Sequence, residues 1–414
     1  MDNHLKNTAV VNTLISAAVV ACVLAPLSAD SAMAASKRFY KGTVSTSVMT
    51  ADRMMMKGKY ADAATFYQSA LKRNPRDINA NIGYGMALTK QFKVDAADEQ
   101  FNKALAKDPQ NPGALAGKSL NMLNRLQSSS NTIRKNKDAI LKEAEASAQK
   151  AIDSEPRIPE AYYALGMVYK EQGRLAEAAA EMKKSTDMDP KFSDGFTGLG
   201  LVQLAQNNPG GAAANFKQAI RLNSGDWTAH YGLGQSLLNQ GQTDAALKEL
   251  NTAQYQFPNS WPVRLALGKA YEIQGNSVAA VREYQESIRV KPENPAAYLG
   301  ISNVREGRGD LELSIAELRS GLELMPNNPD LQQRIGDQSL RVDKIDDAIK
   351  AYQGALNASP GNSKAADGLT TAFYLKAQKE TTGGYFGDND FDSALSMIDR
   401  AIQINPNDIK LRLA

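Results

Sequence analysis

Residues 159–192 read PEAYYALGMVYKEQGRLAEAAAEMKKSTDMDPKF. Tyr162, Leu165, Gly166 and Tyr169 recur at three- and four-residue spacing, which puts them on one face of a helix. Gly173 breaks that helix. A second periodic run follows, with Ala178, Met182 and Ser185 on its inner face. Asp189-Pro190 ends it, because proline cannot continue the helical ladder and disfavours helical angles in the residue before it. Small residues at Gly166 and Ala178 let the two helices approach closely. The stretch predicts a helical hairpin with one apolar face on each helix.

The hairpin keeps time along the chain. Prolines stand at Pro75, Pro109, Pro156, Pro190, Pro258, Pro292, Pro326, Pro360 and Pro406, and most neighbours are 34 residues apart. Ser224 fills the one missing slot. The longer gaps, 47 residues from Pro109 to Pro156 and 46 from Pro360 to Pro406, imply two insertions. A fixed period of this length signals stacked units, none of which can bury its apolar face alone.

The recurring residues resemble the tetratricopeptide repeat. The traces are Leu199-Gly200 with Ala212, Phe216 and Ala219; Leu233-Gly234 with Ala246, Leu250, Ala253 and Pro258; Leu267-Gly268-Tyr271 with Ala280, Tyr284 and Pro292; and Ile335-Gly336 with Ala348, Tyr352, Ala355 and Pro360. Earlier, Gly85 precedes Ala97, Phe101, Ala104 and Pro109, and Ala63, Tyr67, Ala70 and Pro75 close the first unit. The resemblance implies an all-α, right-handed superhelical solenoid of about ten hairpins. Its units fall at about 44–77, 78–111, 112–158, 159–192, 193–226, 227–260, 261–294, 295–328, 329–362 and 363–408. The third (Lys118-Ser119), eighth (Ile301-Ser302 with Ser314) and tenth (Leu369-Thr370) lack the Leu-Gly pair, so looser packing or a bend is expected there. Residues 409–414 open a further unit and stop, which reads either as a short cap or as the point where a longer protein is cut.

Ahead of the repeats lies an address. Polar residues 1–7 precede an apolar stretch, Thr8 to Ala25, and then the small-x-small site Ala32-Met33-Ala34. This is the pattern of a secretory signal peptide over 1–35, with 36–43 as linker. Two alternatives stay open: an uncleaved membrane anchor, and lipidation at Cys22, since Val19-Val20-Ala21-Cys22 is similar to a lipobox. The expected location is the periplasm, with the outer or inner membrane as the alternatives.

Composition narrows the chemistry. The chain has 414 residues, 43% hydrophobic and 22% charged, with a net charge of +3. A near-neutral chain offers no basic field for nucleic acid. One cysteine and two histidines exclude a disulfide framework and a cysteine zinc site, and leave little for nucleophilic catalysis. His230 reads as a packing residue of a repeat helix. Gly113–Ser119 is similar to a phosphate loop but has three residues, not four, between its glycines and no preceding strand. Asp388-Asn389-Asp390 with Asp392 and Asp399 is similar to a calcium loop but has Ser393 where glycine is obligatory. No catalytic, cofactor or metal site is expected, and the chain reads as a non-enzymatic scaffold.

The resemblance also implies a concave groove lined by the first helices, in which peptides or helices of other proteins bind. Its candidate partner-binding residues are Tyr163, Met167, Leu201, Leu204, Tyr231, Leu238, Lys269 and Tyr374, with Glu272, Asp337 and Arg341 beside them. The Lys/Asn/Arg clamp that holds chaperone tails in some relatives is not found. The insertions Gln127–Lys137 and Ala377–Asp390 are the other candidates, the latter with Tyr385 and Phe386 at its tip. The partners are other proteins, expected among envelope or secretion components. Two rival roles stay open: the N-terminal array of a larger envelope enzyme or export channel, and a lipid-anchored assembly factor.

Overall fold

The turn between the two helices of a hairpin requires a left-handed residue, and the period shows where it falls. Gly58, Gly173, Gly241, Gly275 and Gly309 have φ of 68–82°, and Phe92, Asn207 and Asp343 occupy the same phase with φ of 58°, 58° and 61°. Glycine enters this region without a Cβ clash, and Asn and Asp tolerate it; a bulky residue such as Phe92 does not do so freely. At the far end, side-chain caps close several of the hairpins. Asp77, Asn111 and Asn328 each accept a hydrogen bond from the amide three residues on, at 3.0–3.1 Å. Pro112, Pro159, Pro209, Pro295 and Pro329 stand at the first helical position, where the missing amide hydrogen costs nothing.

The computed structural model describes residues 44–126 and 136–382, together with residue 399. Among the described residues there are 19 helices and no strand. The first ten are α1 Thr46–Met55, α2 Tyr60–Arg73, α3 Ile78–Lys90, α4 Val94–Leu105, α5 Pro112–Arg125, α6 Lys137–Ser154, α7 Pro159–Glu171, α8 Leu175–Met188, α9 Ser193–Ala205 and α10 Pro209–Leu222. They are followed by α11 Trp227–Asn239, α12 Thr243–Gln256, α13 Trp261–Ile273, α14 Ser277–Val290, α15 Pro295–Gly307, α16 Leu311–Leu324, α17 Pro329–Arg341, α18 Ile345–Ala358 and α19 Ser363–Thr382. The chain divides into two compact units, residues 1–229 and 230–414. Each is an all-α stack of hairpins. Within each, first helices pack on the next first helix as well as on their own partner: α3 on α5, α7 on α9, α13 on α15 and α15 on α17.

The core repeats one device. The large side chain of a second helix sits between two glycines, one from its own hairpin and one from the next. Phe101 of α4 lies against Gly85 and Gly117, and Met182 of α8 against Gly166 and Gly198. Tyr284 of α14 lies against Gly268 and Gly300, and Tyr352 of α18 against Gly336 and Gly368. A Cβ at seven of these glycines would come within 2.4–2.7 Å of the ring or thioether, closer than real carbon contacts allow, and one at Gly166 would press on the Met182 methyl at 3.0 Å. The large side chain therefore ties hairpin to hairpin, and all four are essentially out of solvent. The tyrosines add a polar end: Tyr284 Oη donates to Glu272 at 2.6 Å and Tyr352 Oη to Asp337 at 2.8 Å, each on the first helix of the same hairpin. Burial pushes both phenols well above their ordinary range, and the carboxylate at each hydroxyl adds to this.

The third unit packs as closely as its neighbours although Ser119 stands in the small-residue slot, whereas in the eighth, as expected, α15 and α16 meet less extensively than do α7 and α8 or α17 and α18. Ser119 Oγ donates to the Ala144 carbonyl at 2.8 Å. Ser314 Oγ donates to Ser302 Oγ at 2.9 Å, and Gln338 Nε2 donates to the same Ser302 oxygen at 2.8 Å. All three serines are fully buried. A hydroxyl fits the small-residue slot because the facing helix satisfies it; a buried hydroxyl left alone would cost stability. The second insertion also begins later than expected. Ala377–Thr382 continues α19, with Ala377 buried, since nothing in that stretch breaks a helix before Gly383-Gly384. The stretches expected to be a signal peptide and linker, residues 127–135, Tyr385, Phe386, the calcium-loop look-alike apart from Asp399, and residues 409–414 lie outside the described residues. Gly113–Ser119 forms the first turns of α5.

Candidate interaction site

In the first unit, residues far apart in sequence converge on the inner helices. Lys90, the last residue of α3, places its ammonium 2.8 Å from Asp194 in the first turn of α9, 104 residues away. Each charge suits its place, a cation at a helix C-terminus and an anion at an N-terminus. Asp226 caps α11 through the Thr228 and Ala229 amides, at 3.0 and 3.3 Å, and accepts a hydrogen bond from Thr197 Oγ1 at 2.7 Å. Tyr60 and Tyr163 are buried around these charges. Backbone closes the ring: a Cβ on Gly225 would lie 1.9 Å from the Lys57 carbonyl oxygen, and one on Gly58 would lie 2.0 Å from the Gly225 carbonyl oxygen. Phe92 and Trp227 meet with ring centroids 6.0 Å apart, and Tyr163 meets Phe192 edge-on at 5.8 Å.

The electrostatics follow from two carboxylates sharing one ammonium. Burial pulls the Lys90 ammonium down, but Asp194, with Tyr163, Tyr60 and Asp226 behind it, lifts it well above the ordinary lysine value. Burial pushes the Asp226 carboxyl above its usual range; Lys90 opposes this and Asp194 adds to it. Tyr60 and Tyr163 are held above the ordinary phenol range by burial, which Lys90 partly offsets. The Lys90 and Asp194 side chains keep 24% and 19% of their exposure, so water still reaches the pair.

The expected groove residues are distributed unevenly. Tyr163 is buried in this ring. Met167 and Tyr374 are half-buried, as are Leu201, Leu204, Tyr231 and Leu238, and Lys269 is exposed with its ammonium 3.2 Å from Glu272. Burial pushes the Tyr231 phenol up to about 12. Asp337 is occupied by Tyr352, and Arg341 pairs with Glu306, which Arg334 also reaches at 3.4 Å. His230 is buried, its Nδ1 2.7 Å from Glu249 Oε2. Sequence reasoning missed Tyr60, Lys90, Phe92, Asp194, Asp226 and Trp227. One signal was available: Phe92 stands in the phase where other repeats carry Gly, Asn or Asp. Among the described residues no three His, Cys, Asp or Glu side chains form a metal-ligand group, and no helix is long and apolar enough to cross a membrane.

Comparison with known proteins gives the class. Residues 197–260 and 265–329 match the tetratricopeptide repeat family model, and residues 48–188 match that of the cilia and flagella-associated protein 70 middle TPR-like domain. Tetratricopeptide repeats are thus recognised within residues 197–329, and TPR-like ones over 48–188. "Probable UDP-N-acetylglucosamine--peptide N-acetylglucosaminyltransferase SPINDLY" of Arabidopsis thaliana is 34% identical over 65 residues, which is 16% of this chain and 7% of that protein's length. Human IFIT1, solved as a dimer with m7Gppp-AAAA, has a TM-score of 0.55 at 14% identity, over 90% of this chain and 93% of its own. The APC/C hetero-tetramer Cut9-Hcn1 has a TM-score of 0.47 at 16% identity, over 79% of this chain and 89% of that one. Pseudomonas aeruginosa pilF has 0.43 at 18%, over 50% and 95%. These likenesses are of fold.

Proposed function

We propose that the protein is a non-enzymatic scaffold that binds peptide or helical segments of other proteins along its first helices, and that it works in a bacterial cell envelope. The observation that carries the binding reading is the layer of first helices packed side by side in each unit, with half-exposed aromatic and aliphatic side chains on a rigid support. Such side chains bind at low entropic cost because the helices that carry them are already ordered. The envelope reading is supported by the apolar stretch before Ala32-Met33-Ala34, and lipidation at Cys22 is its alternative. The 65-residue likeness to SPINDLY supports the repeat only.

The test is direct. Partners retained by the purified protein from an envelope extract are identified and re-measured pairwise by calorimetry against Tyr231→Ala/Leu238→Ala/Tyr374→Ala. The expected result is at least tenfold weaker binding with an unchanged melting temperature. Equal affinity sinks the groove assignment, and turnover of a substrate that depends on one side chain sinks the scaffold reading. Mass spectrometry of the mature N-terminus, found unmodified at Ala35 or Ser36, would support ordinary export; a lipidated Cys22 would replace that reading.

A further inference from the structure

The ring in the first unit is built from parts that the repeat does not need. Two hairpin turns, at Lys57–Gly58 and at Phe92, meet the entrances of α9 and α11. Those entrances carry Asp194, Asp226 and Trp227. Phe92 is the sharpest sign. Its left-handed backbone is strained for a side chain of this kind, and the same phase elsewhere is given to Gly, Asn or Asp. What the phenyl ring does there is reach Trp227, well over a hundred residues on. Gly58 and Gly225 add a second contact of a different kind, backbone against backbone, where any side chain would collide. The Lys90–Asp194 pair is a third.

These contacts lie at one end of a continuous face. On α9, Asp194, Thr197, Leu201 and Leu204 follow at three- and four-residue steps, and on α7 Tyr163 is followed by Met167. We propose that the ring is a latch: it holds the first unit closed on itself and controls access to the inner face that carries Met167, Leu201 and Leu204. Its strength is modest, because the pair is part-exposed and salt screens it, so opening is within reach of a competing charged segment. The functional consequence rests on the inner-face reading of the previous section. The closure itself does not, and it is measured without any partner.

Three measurements on the full chain test it. In Lys90→Glu, amides of residues 57–60 and 224–229 are expected to exchange with deuterium at least tenfold faster, with far-ultraviolet helicity unchanged. The swap Lys90→Glu/Asp194→Lys should restore protection in part, because the pair re-forms while each charge stands at the less favourable helix end and the new carboxylate faces Asp226. In a Cys22→Ser background, a Leu201→Cys thiol should react with a soluble thiol reagent at least fivefold faster when Lys90→Glu is added, and slow again in the swap. Phe92→Gly relieves the strained backbone, yet exchange at 224–229 should rise because the ring contact is gone. Unchanged exchange and labelling in Lys90→Glu, or helix loss that the swap does not recover, overturns the latch. So does Phe92→Gly with protection at 224–229 kept or increased. Absence of a partner would sink the groove reading while leaving these results standing.

Discussion

At the scale of single residues, the decisive quantity is the space beside a glycine. Gly234 faces Leu250, whose Cγ would stand 2.6 Å from an added Cβ. Gly234→Leu is expected to destabilise by about 1–3 kcal/mol, read as a lower denaturant midpoint, since an overpacked site must push a buried helix aside. Gly307, at the end of α15, meets nothing within 4 Å and has an ordinary φ. There Gly307→Ala should stabilise by roughly 0.4–1 kcal/mol, because only the unfolded chain loses freedom. If the two substitutions move stability in the same direction, the sorting of glycines into packed and open positions is wrong. Tyr352→Phe separates the ring from its hydroxyl. The ring stays between Gly336 and Gly368, the bond to Asp337 is lost, and about 1 kcal/mol should go with it.

At the scale of the element, helix ends decide where hairpins begin. Asn328 accepts from the Leu331 amide at 3.0 Å, with Pro329 following as the first helical residue. Asn328→Ala should cost about 1 kcal/mol. Because stability in a stacked array is close to a sum of local terms, faster amide exchange should be concentrated in α17 and its neighbours rather than spread over the chain. Uniform loss of protection would show that the array behaves as one cooperative block. Several second helices are entered differently: Lys59, Lys93, Arg174 and Lys344 precede them without a side-chain cap bond, while Asn208 and Asn276 cap α10 and α14. Those entrances depend on the left-handed turn just before them. The hairpins were legible in the sequence for this reason, since proline, capping and turn residues act within a few positions of where they stand. Ser119 was misread as a weak point because its hydroxyl is satisfied by the Ala144 carbonyl of a facing helix that no local pattern reveals, whereas the looser packing expected where Ser302 and Ser314 stand is found.

At the scale of the whole molecule, charge in the first unit makes stability depend on pH. Folding raises the Asp226 carboxyl above its unfolded value through burial, with Asp194 adding to the effect. The favourable contribution of the protonated form is therefore complete below about pH 3.8 and is lost as pH rises through the raised value. Asp226→Asn keeps an oxygen for the cap and removes the charge. Relative to the parent chain it should gain stability on going from pH 4 to pH 7.5, measured by urea unfolding at each pH. A relative loss over that window contradicts the assignment. Lys90 behaves oppositely in range: its raised value keeps its contribution constant until strongly alkaline pH.

The sequence alone determined the all-helical hairpins, their 34-residue beat and the poverty of catalytic side chains. These follow from periodicity, breakers and composition, each of which is written within one repeat. The tertiary structure decided which side chains stand between paired glycines, which serines find partners, and that Lys90, Phe92, Asp194 and Asp226 come together. Small rotations between successive hairpins accumulate until residues about four repeats apart meet, and no single repeat records that sum.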